Sequence, residues 1–186
     1  MSILDVGGKD GTFVKEFLQG HRGLSVDKTD NIDGTNLPFS DGEFDVVTSI
    51  DVLEHVPFNM RPLFIRELIR VCRLKVFLAF PHSGATGANI VVNSFTNGWL
   101  QEHIDLGLPA AEDVEKILSL SRVTFRKICN LDQDTWVAMT IADWYAPAEL
   151  KRALNYNFNR NFYRREAKTT ACYRLIYEIN KGKKFR

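Results

Sequence analysis

The sequence predicts an α/β domain in three layers, doubly wound, with a mostly parallel sheet and a late antiparallel strand. Short apolar runs alternate with segments of helical period, the pattern of a parallel sheet covered on both faces. The first apolar run stops at glycines and gives way to a helix. The size, 186 residues with 45% hydrophobic and 11% aromatic content, suits a single domain over residues 1–186 with its own core.

Ser2–Val6 is a short apolar run and reads as the first strand. Thr12–Gln19 sets Phe13, Phe17 and Leu18 at helical spacing, and Gly20 can stop that helix. Gly23–Asp27 reads as the second strand. Phe44–Ile50 is rich in β-branched residues and reads as a buried strand. Arg61–Arg73 reads as a helix with Phe64, Leu68, Val71 and Cys72 as its core stripe and Arg66, Arg70 and Arg73 on the wet side. Lys75–Phe80 is a strand whose pairing Pro81 should end. Trp99–Gly107 and Ala111–Leu120 read as helices, the second with Glu112, Asp113 and Glu115 in its first turn. Val123–Cys129 reads as a strand, and Trp136–Tyr145 and Ala148–Arg165 as helices, Pro147 being suited to a first turn. Ala171–Ile179 alternates as the late antiparallel strand, so residues 147–186 form a basic C-terminal helix and strand that complete the domain.

Composition excludes several classes. No run of some 18 or more apolar residues occurs, so no membrane span is expected. Asp5 and Gly7 interrupt any early apolar region, which argues against a signal peptide. Met1 directly precedes the first strand, so no N-terminal covering helix is expected, consistent with a fragment of a longer chain. Cys72, Cys129 and Cys172 are odd in number and far apart; they read as buried thiols in a reducing, cytoplasmic setting and not as a disulfide frame or zinc site. Net charge is +1, unevenly spread: residues 1–150 hold 13 Lys/Arg against 21 Asp/Glu, whereas residues 151–186 hold 11 against 2. In that basic tail Tyr156, Phe158, Arg160, Phe162, Tyr163, Arg164 and Arg165 interleave aromatic and cationic side chains. They could attract an anionic partner such as nucleic acid, or form an ordinary solvated helix face, the reading preferred here.

The informative stretch is Ile3-Leu4-Asp5-Val6-Gly7-Gly8-Lys9-Asp10-Gly11, a strand entering a glycine turn before a helix. Glycine is needed where a ligand approaches the backbone or where φ is positive. Asp27 lies 20 positions after Gly7, at the end of the next strand, where an acid can accept hydrogen bonds from ribose hydroxyls. The dinucleotide fingerprint fails, because Lys9 and Thr12 stand where its second and third glycines belong, and the P-loop pattern is also missing.

Here the chain resembles the class I S-adenosylmethionine-dependent methyltransferases. Asp5, Gly7 and Gly11 match that family's Asp-x-Gly-x-Gly-x-Gly motif, while Lys9 replaces its middle glycine. Asp33-Gly34-Thr35-Asn36-Leu37-Pro38-Phe39, Phe44-Asp45-Val46-Val47 and Leu53-Glu54-His55 are similar to three further segments, in the family's order. The resemblance covers Ser2 to about Pro81. It implies S-adenosylmethionine as cofactor, cradled by Asp5, Gly7, Gly8, Lys9 and Gly11. Asp27 would then hold the ribose and Asp33 the adenine amino group, with Lys28, Gly34, Asn36 and Leu37 as neighbouring contacts. Ser49, Ile50 and Asp51 would line the methionine part. Lys9 could either clash with the methionine end or pair with its carboxylate. Only Lys28 to Ile32, 5 residues, separate Asp27 from Asp33. The family fits a crossover helix and a third strand there, so the sheet edge should be shortened.

For the acceptor, His55 is the candidate base, since imidazole titrates near neutrality, although it could instead only anchor a helix start. Glu54, His82, Trp99 and His103 are candidate substrate contacts, with Glu102 beside them. No metal is expected, because His82, His103 and Asp51 lack tight ligand spacing. Trp136 and Trp144 read as core residues. The Asn/Asp-Pro-Pro-Tyr/Phe signature of amino-nitrogen methylation is replaced by Ser49-Ile50-Asp51-Val52. Three readings follow: O- or C-methylation of a small molecule, sugar or lipid-linked intermediate; a cofactor-binding or degenerate module without activity; and a methyltransferase acting on nucleic acid.

Overall fold

The computed structural model describes residues 1–161 and 171–182. Six strands form one sheet: β1 (Ser2–Val6), β2 (Arg22–Val26), β3 (Phe44–Ile50), β4 (Cys72–Pro81), β5 (Thr124–Asp132) and β6 (Cys172–Asn180). Their order is β2-β1-β3-β4-β6-β5, with β1 to β4 parallel and β6 antiparallel to both β4 and β5. The helices are α1 (Thr12–Phe17), α2 (Arg61–Val71), α3 (Thr86–Phe95), α4 (Gln101–Leu106), α5 (Ala111–Leu120), α6 (Gln133–Tyr145) and α7 (Ala148–Asn161). The helix expected to reach Arg165 is described only to Asn161; the remainder, with Phe162, Tyr163, Arg164 and Arg165, lies outside the described residues.

The shortened edge is present. Between β2 and the Asp33 loop the chain makes a single 3-10 turn, Lys28–Asp30, which leaves β2 at the sheet's edge. Strand alternation sends Leu4, Val47 and Leu78 to one face, where Phe64, Leu68 and Leu118 of α2 and α5 complete a fully buried core. Each such side chain contributes on the order of 1.5–3 kcal/mol by leaving water. The opposite face has α1 near one end. Beside it runs a groove of about 540 Å³ whose walls include Ile3, Val46, Phe77 and Ile176 with Phe13 and Leu18.

α2 runs straight into β4, which begins at Cys72 and not at Lys75 as the sequence suggested. The helix's last carbonyls find a cation instead of a glycine turn: Lys181 Nζ donates to Ile69 O, Arg70 O and Cys72 O at 2.8–3.1 Å. Pro81 does not end pairing before itself but sits opposite Arg174 as the last residue of β4. Arg70 is not on the wet side either. It is half-buried and donates to Leu37 O, Phe39 O, Asp41 and Glu67.

α3 was not foreseen in the sequence, which gave no element between Pro81 and Trp99. Its buried stripe, Ala88, Asn89 and Val92, packs with Leu100, Trp136 and Tyr173 into a second core, a helical cap over the carboxyl rim of the sheet. Trp136 stacks on Tyr173 at 3.6 Å between ring centroids, as a core residue should.

The cysteine expectation is overturned in part. Cys72 is a buried thiol, but Cys129 on β5 and Cys172 on β6 form a disulfide with Cα atoms 5.5 Å apart. Their 43-residue separation hid a pairing that strand adjacency creates. The cysteine argument for a reducing compartment falls with it. Closing a loop of that length restricts the unfolded chain by about 4 kcal/mol on the chain-entropy account. Reduction, or Cys172→Ser, should therefore lower unfolding stability by up to about that amount, read by urea titration with and without a phosphine reductant. An unchanged midpoint would mean the bridge contributes nothing.

Candidate functional site

A cavity of about 580 Å³ opens at the carboxyl rim of β1, β2 and β3, within the usual range for small-molecule sites. Its floor is the glycine turn. Gly7 has φ 88°, and a Cβ there would come 2.3 Å from Val52 Cγ2. Gly11, at φ 71°, is the residue from which α1 starts. Lys9 adopts a left-handed φ of 43° and forms part of the cavity wall. Gly8 and Asp5 lie beneath, outside the lining. Asp5 is buried and accepts from Thr48 Oγ1 at 2.7 Å and from Ser25 Oγ at 3.5 Å. Burial pushes its carboxyl above the ordinary range, against the lowering effect of those bonds. A Cβ on Gly8 would meet Asp5 Oδ2 at 2.0 Å and Ser25 Oγ at 2.1 Å. These two residues of the motif shape the turn from below.

Asp27, Lys28, Asp33 and Gly34 also line the cavity. Asp27 caps the 3-10 turn: its Oδ1 accepts from Thr29 N at 2.9 Å and Thr29 Oγ1 at 3.0 Å. Asp33 repeats the device on Thr35, at 2.8 and 2.7 Å. The Thr29 and Thr35 N–H groups hold both carboxyls below the ordinary carboxylate range, so both are anionic at neutral pH. Thr29 and Thr35, cavity residues missed in the sequence, share one signal, an Asp followed by Thr at i+2. Phe64, Val52 and Met60, also missed, form apolar wall; nothing in the sequence distinguished them from core.

Not every expected contact reaches this cavity. Leu37 is core, its N–H donated to Glu67 at 2.9 Å, and Asn36 lies in the turn closed on Asp33 O, outside the lining. Ser49 is buried, and strand alternation turns Ile50 into the groove on the opposite face. Trp99 is exposed and packs against Trp144 at 5.8 Å, so Trp144 is half-exposed and not core. His82 ties two segments together, Nε2 at 3.0 Å from Cys172 O and Nδ1 accepting from Gly84 N at 3.3 Å. Asn36, Leu37, Ser49, Ile50, Trp99 and His82 therefore stand outside the lining of this cavity, because pleat and tertiary packing point them elsewhere.

The acceptor side gathers around the Leu53–His55 turn. Asp51 lines the cavity at φ 55° and is held by both Nε and Nη2 of Arg174, the first at 2.7 Å. His55 lines the cavity too, with Nδ1 2.8 Å from Glu102 Oε2. Behind it His103 is buried, Nδ1 3.0 Å from Asn89 Oδ1 and Nε2 3.4 Å from His55 Nε2. Burial, with His55 adjacent, pushes the His103 imidazole down to about 4. Glu54 is 1% exposed, and its Oε2 has no partner among the described residues. Burial, followed by the Asp51 charge, pushes that carboxyl up to about 8. Packing thus joins Glu54, His55 and His103, and separates them from His82.

Fold and site together define an α/β domain with a cavity at the carboxyl rim of its parallel strands. Comparison with known proteins agrees. Residues 13–80 match the family described as the methyltransferase domain. A curated relative, norajmaline N-methyltransferase of Rauvolfia serpentina, is 35% identical over 98 residues, 53% of this chain and 25% of that protein. The match therefore spans about a quarter of the relative's length. Among solved structures, an S-adenosylmethionine-dependent methyltransferase of Thermotoga maritima aligns over 97% of this chain and 82% of its own, with TM-score 0.62 and 10% identity. One from Archaeoglobus fulgidus covers 97% and 86%, with TM-score 0.57 and 15% identity. A phosphoethanolamine N-methyltransferase of Haemonchus contortus, in complex with phosphomonomethylethanolamine and S-adenosylhomocysteine, covers 97% and 48%, with TM-score 0.57 and 12% identity. The family match covers residues 13–80, and the solved structures share the fold of the whole described chain.

Proposed function

We propose that this domain binds S-adenosylmethionine in the cavity above the Gly7–Gly11 turn and transfers its methyl group to a small-molecule acceptor. The observation that carries the reading is the convergence of a side-chain-free turn at Gly7 and two anionic carboxylates, Asp27 and Asp33, on one cavity. The fit is steric as well as electrostatic: the space a Gly7 Cβ would fill is closed by Val52, so backbone forms that wall. Asp27 would accept the ribose hydroxyls and Asp33 the adenine amino group, while Val6, Ile32 and Phe64 give the base an apolar bed. The Lys9 side chain, on the cavity wall, would pair with the methionine carboxylate.

When bound, the cofactor supplies a methyl group on a sulfonium, already activated for in-line displacement. The chain's contribution is orientation and exclusion of water, worth several kcal/mol of the barrier. His55, its ring fixed by Glu102, is placed to take the proton that an oxygen or nitrogen acceptor sheds. The names of the curated relative and of the Haemonchus structure both carry nitrogen acceptors, so the acceptor class extends from oxygen and carbon to nitrogen. For nucleic acid the described basic residues give little support: Arg174 and Lys181 are engaged inside the fold, and Arg160 donates to Tyr156.

Calorimetric titration with S-adenosylmethionine tests the reading. Asp27→Ala should weaken binding by roughly 1–3 kcal/mol, the loss of charge-assisted hydrogen bonds. No heat at millimolar cofactor would leave a degenerate module, and an unchanged affinity in the variant would place the ribose elsewhere.

A further inference from the structure

We propose that Glu54, His55 and His103 form a binding site for one divalent transition-metal ion, zinc by preference, at the acceptor end of the cavity. The argument begins with hydrogen placement. Asn89 Nδ2 donates to Ala85 O at 3.2 Å, so Asn89 Oδ1 is the atom that faces His103 Nδ1, and that nitrogen carries the hydrogen. Glu102 is a carboxylate acceptor at 2.8 Å from His55 Nδ1, so that nitrogen carries a hydrogen too. The two Nε2 atoms then face each other across 3.4 Å. One cation between or beside them would serve both nitrogens.

Zinc at about 2.0–2.1 Å from each of two imidazole nitrogens in tetrahedral array holds them about 3.4 Å apart. The observed spacing is that one. The third ligand is Glu54, whose buried Oε2 has no partner, and the three ligand atoms all lie within 4.8 Å of one another. The carboxylate must move closer to coordinate, a side-chain adjustment. Two histidines and a glutamate, with one position open towards a cavity, is a ligand set of catalytic zinc. The supporting shell is also in place. Each histidine bonds through Nδ1 to a side-chain oxygen, which fixes the tautomer and frees Nε2 for metal. His103 and Glu54 close the site from inside, and His55 opens it to the cavity. If the methyl-transfer reading holds, a cation here would bind the acceptor's donor atom, and His55 would be a ligand in place of the base; the metal site itself does not depend on that reading.

The test uses the full chain, treated with a chelator, dialysed and titrated calorimetrically with zinc chloride alone. Cobalt(II) absorption provides a second readout of coordination. We expect one zinc per chain at micromolar affinity or tighter, and a loss of at least 100-fold in both His103→Ala and His55→Ala. His82→Ala should leave binding unchanged. His55 is the more exposed ligand, so its variant reports even if removing buried His103 prevents folding. No saturable one-to-one binding, or undiminished binding in His55→Ala, overturns the proposal; the pair would then share a proton. Cofactor titration of the chelator-treated protein, done separately, distinguishes failure here from failure of the methyltransferase reading.

Discussion

Gly8→Ala should destabilise the fold by about 2–4 kcal/mol and abolish measurable cofactor binding. The position is not among those at positive φ, so the effect is steric. A methyl there would stand 2.0 Å from Asp5 Oδ2 and 2.1 Å from Ser25 Oγ. Neither neighbour is the free end of a flexible chain. Asp5 is buried between β1 and its neighbours and pinned by Thr48 Oγ1. Displacing it strands a buried carboxyl without its hydrogen bonds and tilts the turn that forms the cavity floor. Urea unfolding and cofactor calorimetry on one preparation read both effects. Wild-type stability in this variant would show that Asp5 rearranges freely and does not brace the turn.

A second large effect is expected at Glu67. Its carboxylate accepts from Leu37 N at 2.9 Å and from Arg70 at 2.7 and 2.8 Å, while Arg70 also donates to Leu37 O and Phe39 O. This node fastens the loop after Asp33 to α2. Glu67→Ala should cost about 2–3 kcal/mol at neutral pH, since it removes the carboxylate from a half-buried guanidinium and leaves the Leu37 N–H without its acceptor. The Arg70 hydrogen bonds hold the Glu67 carboxyl below its ordinary value of 4.5. A depressed folded pKa gives stability that is present above the unfolded value and lost as pH falls through the folded one. The difference between wild type and variant should therefore shrink as the medium is acidified below that ordinary value. A gap that stays constant into strong acid would assign the cost to lost packing and not to ionic bonding. Cofactor affinity should fall with stability, because Asp33 rides on the same loop.

Parts of the site were legible in one dimension because they are local. Asp5, Gly7, Gly8 and Gly11 stand in a continuous strand-turn-helix, and Asp27 closes the next strand, so spacing placed them at the turn. Asp33 came from its segment's likeness to a known family. Whether each side chain reaches the cavity was a different matter. Ile50 and Ser49 differ by one pleat step, and burial against α2, α5 and the cap decided which face each took.

The alternation of apolar strand and amphipathic helix by itself determined the parallel sheet and the late antiparallel strand, because side-chain period acts within short segments, while the clipped edge after Asp27 followed from the resemblance and the 5 residues available there. Tertiary structure alone decided three things. It brought Cys129 beside Cys172, made α3 a cap despite Gly87, and set His103 behind His55 with Glu54 alongside. Each is a contact between residues remote in sequence, or a helix held by what it buries. Such contacts follow from the packing of whole elements, which no local pattern records.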